Sequence, residues 1–162
     1  MSAHQVRAFA EDDTDACVAL MRENTPEFFT SSELAAFEGW LGSNSSPYLV
    51  IEDADGRLLA CGGYSVNVAE RLAGLTWGMV ARARHRQGIG SLLLRERLQR
   101  IAGDGRALEV VLDTSQHSRG FFERHGFRVV CIQTDGYGPG LDRCDMRLRL
   151  AGQPHPVAAP RW

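Results

Sequence analysis

A glycine pair in the middle of the chain has the residue types and spacing to bind phosphate. Residues 85–94 read HRQGIGSLLL, with Gly88 and Gly90 between an arginine-rich approach and a run typical of the first turns of a helix. Backbone N–H groups at such a turn have no helical acceptor, and the helix dipole favours an anion there. Side chains at the two glycines would hinder both the turn and the approach of phosphate oxygens. The pattern predicts an anion-binding turn, although a helix start with solvated arginines explains the same residues.

Two common phosphate motifs do not fit this turn. A P-loop has a lysine directly after its second glycine, whereas Ser91 follows Gly90 and the chain contains no lysine. A dinucleotide-binding fingerprint requires a third glycine, and Leu93 occupies that position. Nucleotide hydrolysis and dinucleotide binding are therefore excluded as functions of this turn.

The elements that must position the turn follow from hydrophobic periodicity and turn signals. The sequence predicts, in chain order, a strand over residues 5–10, helices over 11–24 and 31–41, strands over 48–52, 57–66 and 75–81, a helix over 89–102, a strand over 107–113, a helix over 116–125, and strands over 127–132 and 145–150. This order indicates one α+β domain over residues 1–150. A glycine-rich loop over residues 135–143 is long enough to reach over a site, and residues 151–162 are expected to form a loose Pro- and Ala-rich tail.

The helix that follows the glycine turn has a clear apolar repeat. Leu94, Leu98 and Ile101 recur at helical spacing. The charged residues of this helix, Arg95 and Arg97 among them, are expected mostly on the opposite, solvated face.

Length and composition describe an ordinary globular domain. The chain has 162 residues, 44% of them hydrophobic and 23% charged, and no apolar run approaches the roughly 20 residues of a membrane helix. No basic region followed by a long apolar stretch opens the chain, so we expect a soluble, cytoplasmic protein. The four cysteines and five histidines are scattered without metal-ligand spacing. Reduced thiols and no metal are therefore expected.

Charge is divided unevenly along the chain. Residues 1–70 carry twelve acidic residues and three arginines, whereas residues 71–162 carry eight acidic residues and fifteen arginines. The net charge of −2 argues against a nucleic-acid binder. The division is compatible with an anionic ligand on the second half and a cationic one near the first, and equally with ordinary solvated faces.

Further residues accompany the glycine pair in a recognisable order. Gly88 and Gly90 fill the glycine positions of the pattern Arg/Gln-x-x-Gly-x-Gly/Ala, and Val80 stands eight residues before Gly88 at the end of the fourth strand. Residues 115–127, SQHSRGFFERHGF, follow as a helix and a Gly-Phe pair that opens the next strand. In these features the sequence resembles the GNAT superfamily of acetyl-CoA-dependent N-acyltransferases. The resemblance covers nearly the whole chain, from the first strand to residues 145–150.

The resemblance implies a three-layer α/β/α fold of the α+β class. Its mixed, mostly antiparallel sheet would have about seven strands, splayed between the fourth and fifth, with about four helices. Acetyl-CoA would bind in that cleft as co-substrate, and its acetyl group would pass directly to a primary amine of a small molecule or peptide. The cofactor-binding residues implied, through backbone or side chain, are Met79, Val80, His85, Arg86, Gln87, Gly88, Ile89, Gly90, Ser91, Ser115 and Phe122.

Two positions depart from the family pattern. His85 stands where the family has Arg or Gln, and because its charge varies near neutral pH we expect CoA affinity to weaken above about pH 6.5–7. Phe122 stands where the family commonly has a tyrosine that protonates the departing sulfur. Preparing a neutral amine costs about 4 kcal/mol at pH 7.4, whereas releasing an unprotonated thiol costs only about 1.5 kcal/mol. Turnover without this tyrosine is therefore energetically feasible.

The sequence does not decide which residues are catalytic. Water, Ser115 or Tyr137 could protonate the sulfur. Glu38 and Glu70 are the candidate bases, since the strand over residues 75–81 contains no carboxylate. Ser115 also suits a helix N-cap, so its role is divided between capping and ligand contact.

The acidic first half of the chain favours a cationic amine as the acceptor. Phe28, Phe29 and Trp40 could line its pocket, and structural roles are expected for Asp113 and His117. The alternative is a non-catalytic sensor or partner protein that binds CoA or acyl-CoA, which the missing tyrosine favours. No nucleic acid or membrane is expected as a partner, and pairing of two copies through the last strands stays open.

Overall fold

The computed structural model describes residues 3–151 of the chain. The predicted loose tail, residues 151–162, lies outside the described residues except for Ala151. The helices and strands are β1 (Gln5–Ala8), α1 (Thr14–Glu23), α2 (Ser31–Ser43), β2 (Tyr48–Glu52), β3 (Leu58–Asn67), β4 (Leu72–Val80), α3 (Ile89–Asp104), β5 (Glu109–Thr114), α4 (Gln116–Arg124), β6 (Arg128–Gly138) and β7 (Leu141–Arg149). Their order is the predicted one, and it confirms the α+β class.

The seven strands form one mixed sheet in the order β1-β2-β3-β4-β5-β7-β6. Every neighbouring pair is antiparallel except β4 and β5, which are parallel and are connected through α3. The strand count, the helix count and the single parallel pair confirm the predicted sheet.

Helices cover both faces of this sheet. Phe37 of α2 packs in one apolar cluster with Val50 of β2. Because side chains alternate along a strand, the neighbouring Ile51 points to the other face, where it clusters with Leu93 of α3. Phe121 of α4 packs against the adjoining cluster on the α3 side. The result is the predicted three-layer arrangement, and within residues 3–151 no helix is long and apolar enough to cross a membrane.

β4 and β5 separate partway along their length. Their parallel pairing covers only Leu72 to Gly74 of β4, so residues 75–80 have no partner on β5. β4 also bulges against β3, because its register shifts between Cys61 and Gly63 and Trp77 has a left-handed φ of 43°. The predicted splay is confirmed, and it opens a gap in the middle of the sheet.

The last two strands differ from the prediction. β6 runs on to Gly138 and reaches β7 through a two-residue turn, so the long loop predicted over residues 135–143 is wrong. Two side-chain hydrogen bonds stabilise the irregular end of this hairpin. The Asp135 carboxylate accepts from the Gly140 N–H at 2.7 Å, and the Asp142 carboxylate accepts from the Asp135 N–H at 2.9 Å. These side-chain bonds replace ladder bonds that the irregular register loses.

One residue of α3 departs from the expected polar face. Arg97 is only 4% exposed and packs against glycines of the sheet, whereas Arg95 is exposed as predicted. At 3.6 residues per turn, Arg97 follows Leu93 and Leu94 by one turn and therefore shares their buried face.

Candidate active site

The gap between β4 and β5 forms a cleft of about 710 Å³ beside the start of α3. Its walls come from the two strands, the first turns of α3 and α4, and the segment between α1 and α2. Twelve of the predicted site residues line it: Phe28, Phe29, Met79, Val80, His85, Arg86, Gly88, Gly90, Ser91, Ser115, Phe122 and Tyr137.

The N-terminus of α3 brings unpaired backbone amides to the cleft. Gly88 precedes the helix with a left-handed φ of 82°, which glycine adopts without strain. The first helical hydrogen bond runs from the Leu92 N–H to the Gly88 carbonyl at 3.0 Å. The amides of residues 88–91 therefore have no helical acceptor. This geometry suits phosphate groups, because the amides and the helix dipole both favour an anion.

Gly88→Ala is expected to lower the free energy of unfolding by about 1–2 kcal/mol, because a Cβ is strained against its own backbone at this φ. No neighbouring atom lies within 4 Å of that Cβ, so the change isolates backbone conformation. Urea unfolding followed by circular dichroism measures it.

The control for this substitution is Gly103→Ala in the same helix. Its Cβ would also meet open space, but its backbone has no left-handed φ. We expect this variant to be more stable than wild type by up to about 1 kcal/mol. Equal stability of Gly88→Ala and wild type would show that the turn relaxes without strain.

The carbonyl of Val80, at the end of β4, is hydrogen-bonded from two sides. The His85 Nε2 lies 2.9 Å from it, and Asn24 Nδ2 donates to it at 3.0 Å. Because a carbonyl oxygen only accepts, Nε2 carries a hydrogen, and a phosphate would be met by Nδ1 of the protonated ring. His85 also meets the Phe28 ring edge-on, with centroids 5.5 Å apart. The His85–phosphate contact and the pairing of a ligand with Met79 and Val80 stay predictions.

The start of α4 supplies an uncommitted hydroxyl. Ser115 occupies the N-cap position, and its carbonyl accepts from the N–H groups of Ser118 and Arg119 at 3.1 Å, but its hydroxyl makes no capping bond. The side chain is buried and lines the cleft, so the hydroxyl is left for a ligand. Phe122, farther along α4, packs edge-on against two neighbouring phenylalanines and has no proton to donate.

Tyr137 and Asp113 form a hydrogen-bonded pair on the β5 side of the cleft. The Tyr137 hydroxyl donates to Asp113 Oδ2, and Arg143 Nη2 lies 3.9 Å from Asp113 Oδ1. Burial, and then the bond to Asp113, raise the pKa of Tyr137 well above its ordinary value. Tyr137 therefore keeps its proton at neutral pH and is a weaker acid than an exposed tyrosine. The bulged hairpin brings Tyr137 to the cleft without the long loop expected from the sequence.

Five predicted side chains lie away from the cleft. Ile89 is buried in the core, and Gln87 Nε2 donates to a backbone carbonyl of the preceding turn at 3.1 Å, so only the backbone amides of these two residues remain binding candidates. Glu38 is on the exposed face of α2, and Glu70 is in the exposed β3–β4 turn. Trp40 stacks in the core cluster under α2. The structure thus does not bring the two candidate bases to the cleft.

Several polar residues of the cleft were missed by sequence reasoning, among them Glu33, Thr76 and Arg97. Glu33 forms a capping box with Thr30, because its Oε2 accepts from the Thr30 N–H at 2.7 Å and its own N–H donates to Thr30 Oγ1 at 3.2 Å. The T-x-x-E spacing was therefore a usable signal for the start of α2. It places a carboxylate at the rim of the cleft.

The cleft has an aromatic and acidic side. Phe28, Phe29 and Trp77 line it next to α2, and Glu33 and Asp113 are the acidic side chains that line it within the described part of the chain. Aromatic faces and carboxylates together attract a cation. Among residues 3–151, no group of three or more His, Cys, Asp or Glu side chains is arranged to hold a metal ion.

Comparison with known structures places this architecture among N-acetyltransferases. The ribosomal-protein-S18-alanine N-acetyltransferase of Escherichia coli has a TM-score of 0.77 at 16% identity, with 97% of this chain and 100% of that chain covered. A ribosomal-protein-alanine N-acetyltransferase of Brucella melitensis has a TM-score of 0.71 at 21% identity, over 90% and 99% of the two chains. An aminoglycoside 6'-N-acetyltransferase in complex with coenzyme A has a TM-score of 0.75 at 16% identity, over 93% and 99%. These likenesses define the fold as that of N-acetyltransferases.

The family follows from the sequence match. The model of the acetyltransferase (GNAT) family matches residues 14–127, which is most of the chain. The chain belongs to the GNAT family of acetyltransferases, and the resemblance read from the glycine turn is confirmed. A search of curated protein sequences finds no significant match.

Proposed function

We propose that this protein transfers an acetyl group from acetyl-CoA to the primary amine of a small molecule or peptide. The observation that carries the proposal is the cleft between β4 and β5, bordered by the free amides at the start of α3, in a chain of the GNAT family. The similar structures are named for acceptors as different as a ribosomal protein and an aminoglycoside. The acceptor class is therefore argued from the residues of this cleft.

The residues of the cleft suit acetyl-CoA. The amides of residues 88–91 and the guanidinium of Arg86 suit its pyrophosphate. The unpaired edge of β4 over residues 75–80 suits the amides of its pantetheine arm. The cleft volume of about 710 Å³ is typical of small-molecule sites. When bound there, acetyl-CoA supplies the acyl group already activated as a thioester.

The acidic and aromatic side of the cleft supports a cationic acceptor. Glu33 and Asp113 attract an ammonium group, and the rings of Phe28, Phe29 and Trp77 add cation–π attraction and exclude water. Deprotonating the amine is the larger demand, at about 4 kcal/mol for a lysine-like amine at pH 7.4. We propose that one of these two carboxylates accepts the proton of the amine, directly or through a water molecule, and that Tyr137 positions Asp113.

Direct transfer is favoured over an acyl-enzyme intermediate. None of the four cysteines lines the cleft, and three of them, Cys17, Cys61 and Cys144, are buried elsewhere. No thiol of the described chain is therefore placed to attack a bound thioester.

Release of free thiol from acetyl-CoA in a panel of amines tests the proposal. The panel contains aminoglycosides, polyamines, amino acids and peptides, and at least one acceptor is expected to raise thiol release above the buffer rate. Phe122, which lacks a hydroxyl, favours the second candidate, a non-catalytic CoA sensor. Tight CoA binding with no thiol release for any acceptor would support the sensor and contradict the enzyme.

Glu33→Gln is expected to raise KM for the best cationic acceptor about 5–10-fold, because one attractive charge of about 1 kcal/mol is removed from the cleft. A large fall in kcat in addition would identify Glu33, rather than Asp113, as the carboxylate that takes the amine proton. Glutamine retains an oxygen that can accept the Thr30 N–H, so the capping box survives. Steady-state kinetics at low salt measure the effect. Glu38→Gln, on the same helix but outside the cleft, is the control and should leave KM unchanged. An equal change in both variants would mean that the helix charge acts at long range and that Glu33 does not contact the acceptor.

A further inference from the structure

The side chain of Arg97 extends from α3 to the sheet, where two glycines leave space for its guanidinium. Its guanidinium lies against Gly62 of β3 and Gly78 of β4, and a Cβ at either glycine would lie within 3.0–3.2 Å of guanidinium atoms. Any larger residue at these two positions would displace the arginine. The side chain is 4% exposed, and its exposed part lines the cleft.

The guanidinium of Arg97 has no anionic partner among residues 3–151. Nη1 donates to the Gly63 carbonyl at 3.3 Å, and Nε has no hydrogen-bond partner. The titratable side chains that act on it electrostatically are Tyr48 and Cys61, and burial raises the pKa of Tyr48 well above its ordinary value. Burial lowers the pKa of Arg97 to about 10, so it remains charged at neutral pH. A buried and unpaired charge is strongly unfavourable unless an anion meets it.

The position of Arg97 decides which anion it can meet. It lies eight residues after Ile89, about 12 Å along the helix axis from the amides that suit the pyrophosphate. Its guanidinium lies against Gly78 in the β4 bulge, within the part of β4 that has separated from β5 after Gly74. An anion that meets it there lies at the bulge and not at the amides, which points to the reacting end of the cofactor.

Phe122 and Tyr137 are unable to protonate a leaving sulfur, which leaves the neutral Ser115 hydroxyl and the charged Arg97 guanidinium as candidate partners for it. Phe122 has no hydroxyl, and Tyr137 already donates its proton to Asp113. In acyl transfer the amine nitrogen forms the amide bond as the carbon–sulfur bond breaks. The electron pair of that bond stays on the sulfur, and the amine proton passes to a carboxylate or to water.

We propose that Arg97 is the anion-binding residue for the thiolate of coenzyme A, in place of a proton-donating tyrosine. The inference rests on the proposed function and deepens it, since it assigns the fate of the leaving group. It predicts that the bound thiol ionises at lower pH than the free thiol, which titrates near pH 8.5.

Calorimetric titration with coenzyme A and with desulfo-coenzyme A, which lacks the sulfur, tests this assignment without any acceptor. For wild type, the ratio of the desulfo dissociation constant to that of coenzyme A is expected to rise about tenfold or more between pH 6 and pH 8. Between the pKa of the bound thiol and that of the free thiol, each pH unit gives up to about tenfold. His85, His117 and His125 also line the cleft, but they act on both ligands, so their effects cancel in the ratio.

Arg97→Met is expected to hold this ratio within about twofold across the pH range. Arg95→Met, on the exposed face of the same helix, is the control and should retain the wild-type rise. Arg97→Gln is a second variant with the same expected flat ratio, for use if the methionine protein does not fold.

The outcomes separate the inference from the proposed function. A flat ratio for a wild-type protein that binds coenzyme A overturns the thiolate assignment alone. Failure to bind either ligand at millimolar concentration overturns the proposed function. Succinyl-CoA that binds much more tightly than acetyl-CoA, with a preference lost in Arg97→Met, would assign Arg97 to a carboxylate of the acyl group and would also overturn the thiolate role.

Discussion

Arg97→Met is expected to stabilise the ligand-free protein, by on the order of 3 kcal/mol at neutral pH. The guanidinium is almost fully buried and has no carboxylate partner among residues 3–151, and burial lowers its pKa to about 10. Methionine keeps the apolar stem and removes the charge, and buried charges replaced by apolar residues of similar volume are often neutral or stabilising. Urea unfolding of the two proteins without ligand measures the difference.

The pH dependence gives this prediction a second readout. Because the pKa of Arg97 is lower in the folded state, the unfolded chain binds more protons between pH 10 and the ordinary pKa of arginine. The destabilisation is thus complete at neutral pH and declines as pH rises above about 10. The difference between wild type and Arg97→Met should shrink in the same range. Arg95→Met, the exposed control, should change stability by less than about 0.5 kcal/mol. A clear loss of stability in Arg97→Met would mean that the guanidinium makes compensating contacts in the folded protein.

Arg97 is expected to lower the stability of the ligand-free protein while it serves the proposed binding of coenzyme A. A charge that has no anionic partner among residues 3–151 gains one when an anion enters the cleft, so ligand binding is expected to recover part of the stability that the burial of Arg97 costs. Saturating coenzyme A should therefore raise the melting temperature of wild type more than that of Arg97→Met.

The fold could be predicted from the sequence where local pattern decides structure. The apolar repeat of α3 depends on a few adjacent residues, and the helices and strands were all predicted in the right order. The hairpin over residues 135–143 was predicted wrongly, because its irregular register is held by Asp135 and Asp142, whose side-chain bonds a glycine-rich sequence does not reveal.

In the site, too, the residues that could be predicted are those that are adjacent in the sequence. The amides of residues 88–91 are contiguous, so the sequence alone predicts their arrangement. Glu33 reaches the cleft from α2, which is distant from the glycine turn in the sequence. Arg97 reaches it from a face of α3 that was expected to be polar. The role of each residue depends on packing. Arg97 could have been found, since it follows Leu93 by four residues on a buried face, but Arg95 and Arg100 beside it make it resemble an ordinary surface arginine.

Gly90→Val is expected to weaken coenzyme A binding at least about 100-fold, close to 3 kcal/mol, with the fold intact. A Cβ at Gly90 would already contact Phe121 at 3.5 Å and Val80 at 3.7 Å, so the valine methyl groups would extend into the gap between β4 and α4, where we propose that the cofactor passes. Gly90 has no left-handed φ and lies in the first turn of α3, so the backbone tolerates the change. Calorimetry gives the affinity, and thermal unfolding shows whether the fold persists. Gly103→Val, farther along the same helix in open space, is the control for the effect of valine on the helix, and it should bind coenzyme A as wild type does. If Gly90→Val binds within tenfold of wild type, the cofactor does not pass between β4 and α4, and the cleft between β4 and β5 is not its site.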